Sequence, residues 1–319
     1  MLSRVADSLY WMSRYLERAE HTARLLGVGL NQTLDQTPSS VQPRWQRLLD
    51  ALHTPAPAEG LDDYAIVRKL TFDPDTPASL IACMTAAREN AQQVREQISS
   101  EMWEQVNRLY LRVKYNNIDK IWQGEPQEFL QRVKKGAHLF QGITDATMSH
   151  DEGWHYIQVG RNLERAGATA HLLDLYFQPH LMAPSPEVSS LDYIDWVALL
   201  KCCTAFEAYC KVYTADVQPP LVADFLLLNE QSPRSVRFAV DRVQRGLQAL
   251  AKSTNGRGAG RAERIAGRLS SNLDYAQMDE IIADDMHGYL ATIRKQCDLI
   301  HQTIYQVYIS YPVEAALAQ

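Results

Sequence analysis

Apolar residues return at steps of three and four from the start of the chain: Leu9, Met12, Leu16, Ala19, Ala23, Leu26 and Leu30. That period is one buried face of an α-helix, because about 3.6 residues complete a turn and side chains three or four apart share a side. The pattern ends at Thr37-Pro38-Ser39-Ser40, resumes as a short helix over 44–52, and gives way to a Pro/Ala-rich link over 53–60. Thr76-Pro77 reads as an N-cap followed by proline at the first helical position, opening a helix to about residue 98. Ser99-Ser100-Glu101 starts another, to about residue 122, and Gly124-Glu125-Pro126 separates it from helices expected over 127–148 and 151–177.

The stretch 178–190 holds Pro179, Pro184 and Pro186 and is the clearest break in the chain. Ser190 is expected to cap a helix to residue 213; Pro219-Pro220 precedes an apolar helix over 221–228, and Ser232-Pro233 opens one to about residue 252. Residues 255–260 read as a glycine-rich loop, and a long helix is expected over 279–310. No run alternates β-branched residues with hairpin turn chemistry. The expected fold is all-α, a helical bundle of roughly ten helices.

Two of these helices carry the same charged pattern. Arg14-Tyr15-Leu16-Glu17-Arg18-Ala19 returns as Arg161-Asn162-Leu163-Glu164-Arg165-Ala166, at an offset of 161 − 14 = 147 residues. Thr22-Ala23 answers Thr169-Ala170, and Leu25-Leu26 answers Leu172-Leu173, without a gap. An in-phase repeat of this kind implies one domain over 1–319 built from two pseudo-repeat halves, approximately 1–149 and 150–319.

At about 100° per residue, Met12, Leu16, Ala19, Ala23, Leu26 and Leu30 form the core face of the first copy. Arg14, Glu17, Arg18 and His21 occupy the opposite side, with Tyr10 and Leu25 among them. In the second copy Val159, Leu163, Ala166, Ala170, Leu173 and Phe177 make the core face. Arg161, Glu164 and Arg165 lie opposite, with Ile157 and Leu172 in the places of Tyr10 and Leu25. Apolar residues at the same two positions among charges, in both copies, imply that the charged faces are partly covered by other helices or by a ligand.

Three readings of those faces stand. Exposed Arg–Glu pairs three residues apart contribute only tenths of a kcal/mol. A covered ionic network would specify the arrangement of helices more than it adds stability. Guanidinium forks oriented by Glu could instead bind a carboxylate or phosphate. The candidate ligand-binding residues are therefore Arg14, Glu17, Arg18, Arg161, Glu164 and Arg165, with Glu17 and Glu164 as the candidate catalytic bases. Glu20 in the first copy is answered by Gly167 in the second, so the second face carries less negative charge.

Composition narrows the classes. With 32 Lys and Arg against 38 Asp and Glu, the net charge is −6, which disfavours a nucleic-acid partner or an anionic membrane. No run of eighteen apolar residues is present and no secretory signal opens the chain, so a cytoplasmic protein without a membrane span is expected. Five cysteines, Cys83, Cys202, Cys203, Cys210 and Cys297, contain no C-x-x-C and read as reduced, buried thiols, with Cys203 and Cys210 sharing a face of one helix.

Other constellations are less specific. His150, Asp151, Glu152 and His155 include one Glu-x-x-His step but no matching second, so no metal and no cofactor is expected, and Asp151 reads as a helix cap. Arg88 and Glu89, with Arg95 and Glu96, form a further charged cluster that solvated helix surface explains equally well. Trp103 and Trp154 are expected to close the core. Arg234 and Arg237 would sit in the first turn of a helix, where cations oppose the dipole unless an anion or acidic partner is near. The glycine-rich loop lacks the Lys-Ser/Thr of a phosphate-binding loop.

The chain resembles the alpha-E family of bacterial all-α proteins, named for a glutamate-arginine motif. The resemblance rests on the opening Met1-Leu2-Ser3-Arg4-Val5-Ala6-Asp7-Ser8-Leu9-Tyr10-Trp11 and on both Glu-Arg copies. It extends through Ala87-Arg88-Glu89-Asn90-Ala91, Ser99-Ser100-Glu101-Met102-Trp103, Gly142-Ile143-Thr144-Asp145, Asp151-Glu152-Gly153-Trp154 and Pro233-Arg234-Ser235-Val236. It implies that Arg88 and Glu89 join the polar interior of Glu17 and Glu164. It also implies a partner, an ATP-grasp-type amide ligase, in ribosome-independent amide or peptide bond formation.

The leading functional reading is thus a helical accessory or substrate-binding subunit of such a ligase, holding an acidic or peptide substrate. A stand-alone enzyme with Glu17 or Glu164 as general base is the alternative, weakened because flanking arginines favour the ionised form. A helical scaffold without a small-molecule site is the third.

Overall fold

Every regular element among the described residues is helical, and none is a strand. The computed structural model describes residues 1–33, 38–58, 60–182, 190–214, 216–253 and 260–309. Thr37, Pro184 and Pro186 of the expected breaks, and the loop over 255–259, lie outside them.

The described chain forms two compact units, Met12–Met148 and Met1–Trp11 with Ser149–Gln319. The first unit contains α1 (Ser3–Thr33) from Met12 onward, α2 (Pro38–Ala51), α3 (Asp63–Phe72), α4 (Leu80–Gln93), α5 (Ser100–Lys114), α6 (Ile118–Gln123) and α7 (Pro126–Thr147). The second contains the start of α1, then α8 (Glu152–Met182), α9 (Ser190–Cys202), α10 (Phe206–Tyr213), α11 (Pro219–Leu228), α12 (Val236–Ser253), α13 (Gly260–Asp274), α14 (Met278–Asp284) and α15 (Met286–Ile304). A π-helical turn, Tyr305–Ile309, follows.

Among the described residues fifteen α-helices stand where about ten were expected: three expected helices are each divided in two, and α3 and α13 occupy segments that were assigned no helix. Ser79, not Thr76, caps α4: its hydroxyl accepts from the amide of Ala82 at 3.2 Å. Thr76 is instead tied to Asp73 at 2.7 Å. Asn117 caps α6, accepting from Lys120 at 2.8 Å, and Asp285 caps α15, accepting from Gly288 at 2.9 Å. These caps satisfy amides that the first turn leaves without intrahelical partners. Between α9 and α10, Thr204 adopts φ 50°, a left-handed conformation that ends the helix expected to run through residue 213. Cys203 therefore sits in the bend, on a different element from Cys210. Pro38 through Ser40 belong to α2, and α8 continues to Met182 with Pro179 inside it.

In the unit Met12–Met148, α5 packs between α4 and α7. Gly136 on α7 permits the close approach: an added Cβ would lie 2.5 Å from a methyl of Leu109. Gln105 uses the same gap to donate to the Gly136 carbonyl at 2.8 Å. In the other unit α8 packs against α12 and α15, with α13 against both of these. There Gly246 lets α12 meet α8, since its Cβ would lie 2.6 Å from Val159. All twelve positions assigned to the two core faces are buried, from Met12 through Leu30 and from Val159 through Phe177. Truncating a buried leucine of this kind costs about 2–5 kcal/mol.

Candidate functional site

The two Glu-Arg helices keep their charges away from the core stripe, yet part of that charged side is covered too. Tyr10, Leu25, Ile157 and Leu172, the apolar residues among the charges, are all buried. Glu17 and Glu20 are buried on α1, and Asn162 and Arg165 on α8.

On α1 the buried charge is mainly acidic. The Glu20 carboxylate, with a fully buried side chain, pairs with Arg24 one turn on and lies 3.4 Å from His138 Nε2 on α7. The Arg24 guanidinium also lies 3.4 Å from that ring nitrogen. Glu17 accepts from the Gln141 side chain at 3.5 Å. Arg14 and Arg18 are part-exposed, and the Arg18 guanidinium rests over the Tyr15 ring at 5.6 Å. A carboxylate buried against a guanidinium stays tolerable only while its partner remains, because a lone buried charge has no water to solvate it.

On α8 the burial is reversed. Arg165 is buried and donates to the carbonyl of Pro233 at 3.0 Å, while Thr169 donates to the carbonyl of Arg234 at 3.3 Å. Two side chains of α8 thus grip the segment that enters α12. Glu164 and Arg161 are part-exposed, and Arg161 contacts the Gln158 amide oxygen. Gly167, in the place of Glu20, has open space where a Cβ would stand.

Arg234 precedes α12 and does not lie in its first turn, because Ser235 is the cap and accepts from Phe238 at 3.1 Å. Arg237 does occupy that turn. Its unfavourable place against the helix dipole is met by the chain's own acids, Asp274 at 3.0 Å and Glu230 at 3.7 Å. Arg88 is part-buried between α4 and α5, donating to Asn107 at 2.8 Å, whereas Glu89 is exposed. Glu89 therefore does not join the covered polar positions of Glu17: it follows Arg88 by one residue and projects about 100° further round α4.

Trp103 and Trp154 are both part-exposed and do not close the core. Each borders its helix's apolar stripe, and Trp154 stacks on His150 with centroids 4.2 Å apart. Asp151 acts as the expected cap, accepting from Gly153 at 2.9 Å. Burial, then the nearby His150, lowers the pKa of His155 below its ordinary value, against a smaller opposing effect of Asp151. Among the described residues no group of three or more His, Cys, Asp or Glu has the geometry to hold a metal ion.

A buried carboxylate on α8, Asp174, was not singled out in the sequence. Asp174 accepts from His287 Nδ1 at 2.7 Å and lies 3.7 Å from Arg294, both on α15. The pair fixes the His287 ring, whose Nδ1 also lies 3.1 Å from the Gln178 side-chain nitrogen. Its wheel position carried a signal: a carboxylate beside Leu172 and Leu173, at the edge of a core stripe, requires a partner.

The profile of the family Alpha-E, described as "A predicted alpha-helical domain with a conserved ER motif", matches residues 1–309. The chain belongs to the Alpha-E family. Glu-Arg occurs in this Alpha-E chain as Glu17-Arg18 and Glu164-Arg165, within the repeat, and again as Glu263-Arg264. Uncharacterized protein Rv2567 of Mycobacterium tuberculosis (strain ATCC 25618 / H37Rv) is 26% identical over 314 residues, covering 91% of this chain and 34% of its own. Uncharacterized protein Mb2597 of Mycobacterium bovis (strain ATCC BAA-935 / AF2122/97) is 25% identical over the same length and shares. The chain thus spans about a third of the length of these curated relatives. No solved structure matches it. No helix among the described residues is long and apolar enough to cross a membrane.

Proposed function

We propose that this Alpha-E protein is a helical, non-catalytic subunit that acts with an ATP-grasp-type ligase in ribosome-independent amide-bond formation, presenting the Arg161–Glu164 side of α8 to an acidic or peptide substrate. Its two halves are read as descendants of one duplicated unit, on the in-phase repeat of the Glu-Arg helices. The ligase assignment rests on the family resemblance, and the curated relatives add that the matched segment sits there within a larger polypeptide.

One observation favours a supporting role over intrinsic catalysis. The acids of α1 are engaged by neighbours within their own unit: Glu20 by Arg24 and His138, Glu17 by Gln141. A general base needs a carboxylate within reach of substrate, whereas Glu17, the candidate on α1, is buried and held by Gln141.

The test is co-expression of this chain with the ATP-grasp ligase from the same genome, followed by size-exclusion chromatography and an assay of ligase ADP release. Co-elution, with turnover raised by the Alpha-E protein and the rise diminished by Arg161→Ala, is the expected result. Separate elution with unchanged turnover would remove this reading.

A further inference from the structure

We propose that the α4–α5 hairpin carries a carboxylate-binding strip that docks an acidic segment of a partner polypeptide. The strip goes beyond the α8 reading and uses different residues. Trp103, Asn107, Tyr110 and Lys114 follow one another at steps of four, three and four, on one face of α5. Arg88 on α4 and Arg95 in the turn after it meet that face.

Cations and rings alternate along it. The Arg95 guanidinium carbon lies over the Trp103 ring at 5.3 Å, and that of Arg88 at 5.5 Å from Trp103 and 4.9 Å from Tyr110. The Lys114 ammonium lies 5.2 Å from the Tyr110 ring. Among the described residues none of these three cations has an ion-pair partner, in contrast to Arg24, Arg132 and Arg237. The hydroxyl of Tyr110 raises the Lys114 pKa, so the ammonium keeps its charge.

Arg88 is preorganised. Its Nε is held by Asn107 and its plane by two rings, which leaves the terminal nitrogens to form paired hydrogen bonds with a carboxylate. Side chains already fixed by cation–π contact lose little further freedom on binding. The partner's chemistry follows from charge and from the rings. The chain as a whole carries −6, and a strip of cations without ion-pair partners draws an acidic segment against that background. Both rings already carry two cations each, so a nucleobase would have to displace a guanidinium before it could stack.

The experiment is calorimetric titration of the full chain with a blocked hexaglutamate peptide at low ionic strength, beside hexalysine, tripolyphosphate and a short oligothymidylate. Hexaglutamate is expected to bind, with affinity falling as salt rises. Arg95→Gln should weaken it about tenfold, and Arg88→Gln/Arg95→Gln/Lys114→Gln about a hundredfold or more. Arg132→Gln, a cation outside the strip, should leave it unchanged. Arg95 is exposed and makes no hydrogen bond, so its variant folds and keeps the test valid even if the triple variant does not. Absence of hexaglutamate binding, an unaltered affinity in Arg95→Gln, or tighter binding of tripolyphosphate or oligothymidylate would overturn the proposal.

Discussion

The two Glu-Arg helices share a sequence pattern and, within the repeated Glu-Arg pair, bury opposite charges. On α1 Glu17 and Glu20 are buried while Arg14 and Arg18 are part-exposed; on α8 Arg165 is buried and Glu164 is part-exposed. The difference follows from what each helix must hold. Glu20 and Arg24 of α1 meet His138 of α7, an electrostatic contact between helices. Arg165 of α8 instead secures the Pro233 carbonyl at the entry to α12, work for which a planar guanidinium is suited and a carboxylate is not. A motif repeated in sequence need not repeat a function: its partners decide which of its residues become structural.

The comparison breaks most sharply at the position where the copies differ. Glu20→Ala leaves Arg24 buried beside His138 without its carboxylate, and should cost about 3–5 kcal/mol in urea denaturation. The reciprocal change, Gly167→Glu, enters open space and replaces a helical glycine, so it should shift stability by no more than about 1 kcal/mol. Comparable losses from the two substitutions would show that the second helix is as tightly committed as the first.

A smaller effect is expected at the arginines. Arg165→Ala removes the bond to Pro233 and should cost about 1–3 kcal/mol, while Arg18→Ala, part-exposed over Tyr15, should cost about 1 kcal/mol or less. Hydrogen exchange sharpens the contrast. In Arg165→Ala the amides at the start of α12 should lose protection, whereas wild-type protection there would separate Arg165 from the α12 entry.

The smallest expected effect is a pH dependence on one side of the comparison. His155 of α8 stands where α1 has Ser8, and burial lowers its pKa from the ordinary value of 6.5. The unfolded chain therefore binds a proton that the folded chain resists. The His155 contribution is fully present above pH 6.5 and is lost as pH falls below it toward the folded-state pKa. His155→Gln should flatten that part of the profile of thermal midpoint against pH. An unchanged acid limb would assign it to other groups.

Much of the fold was legible because a core stripe is a local property. The twelve core positions of α1 and α8 follow from period alone, and so does the covering of Tyr10, Leu25, Ile157 and Leu172. Helix ends were less legible because caps compete: Thr76 and Ser79 both suit the role, and only the contact with Asp73 shows which one is otherwise engaged. The bend at Thr204 has no glycine or proline to announce it. At the site, Arg24 was readable as the partner of Glu20 one turn away, but His138 lies 114 residues beyond Arg24 and Gln141 lies 124 beyond Glu17. His287 and Arg294 were hidden from the sequence for the same reason, being brought to Asp174 only by the packing of α15 on α8.

The most direct test of the division between structural and outward-facing charge is a pair of urea-denaturation midpoints, for Glu17→Ala and Glu164→Ala. A loss of about 2–4 kcal/mol for Glu17→Ala, against about 1 kcal/mol or less for Glu164→Ala, is the predicted result. Equal losses, or the larger loss at Glu164, would contradict it.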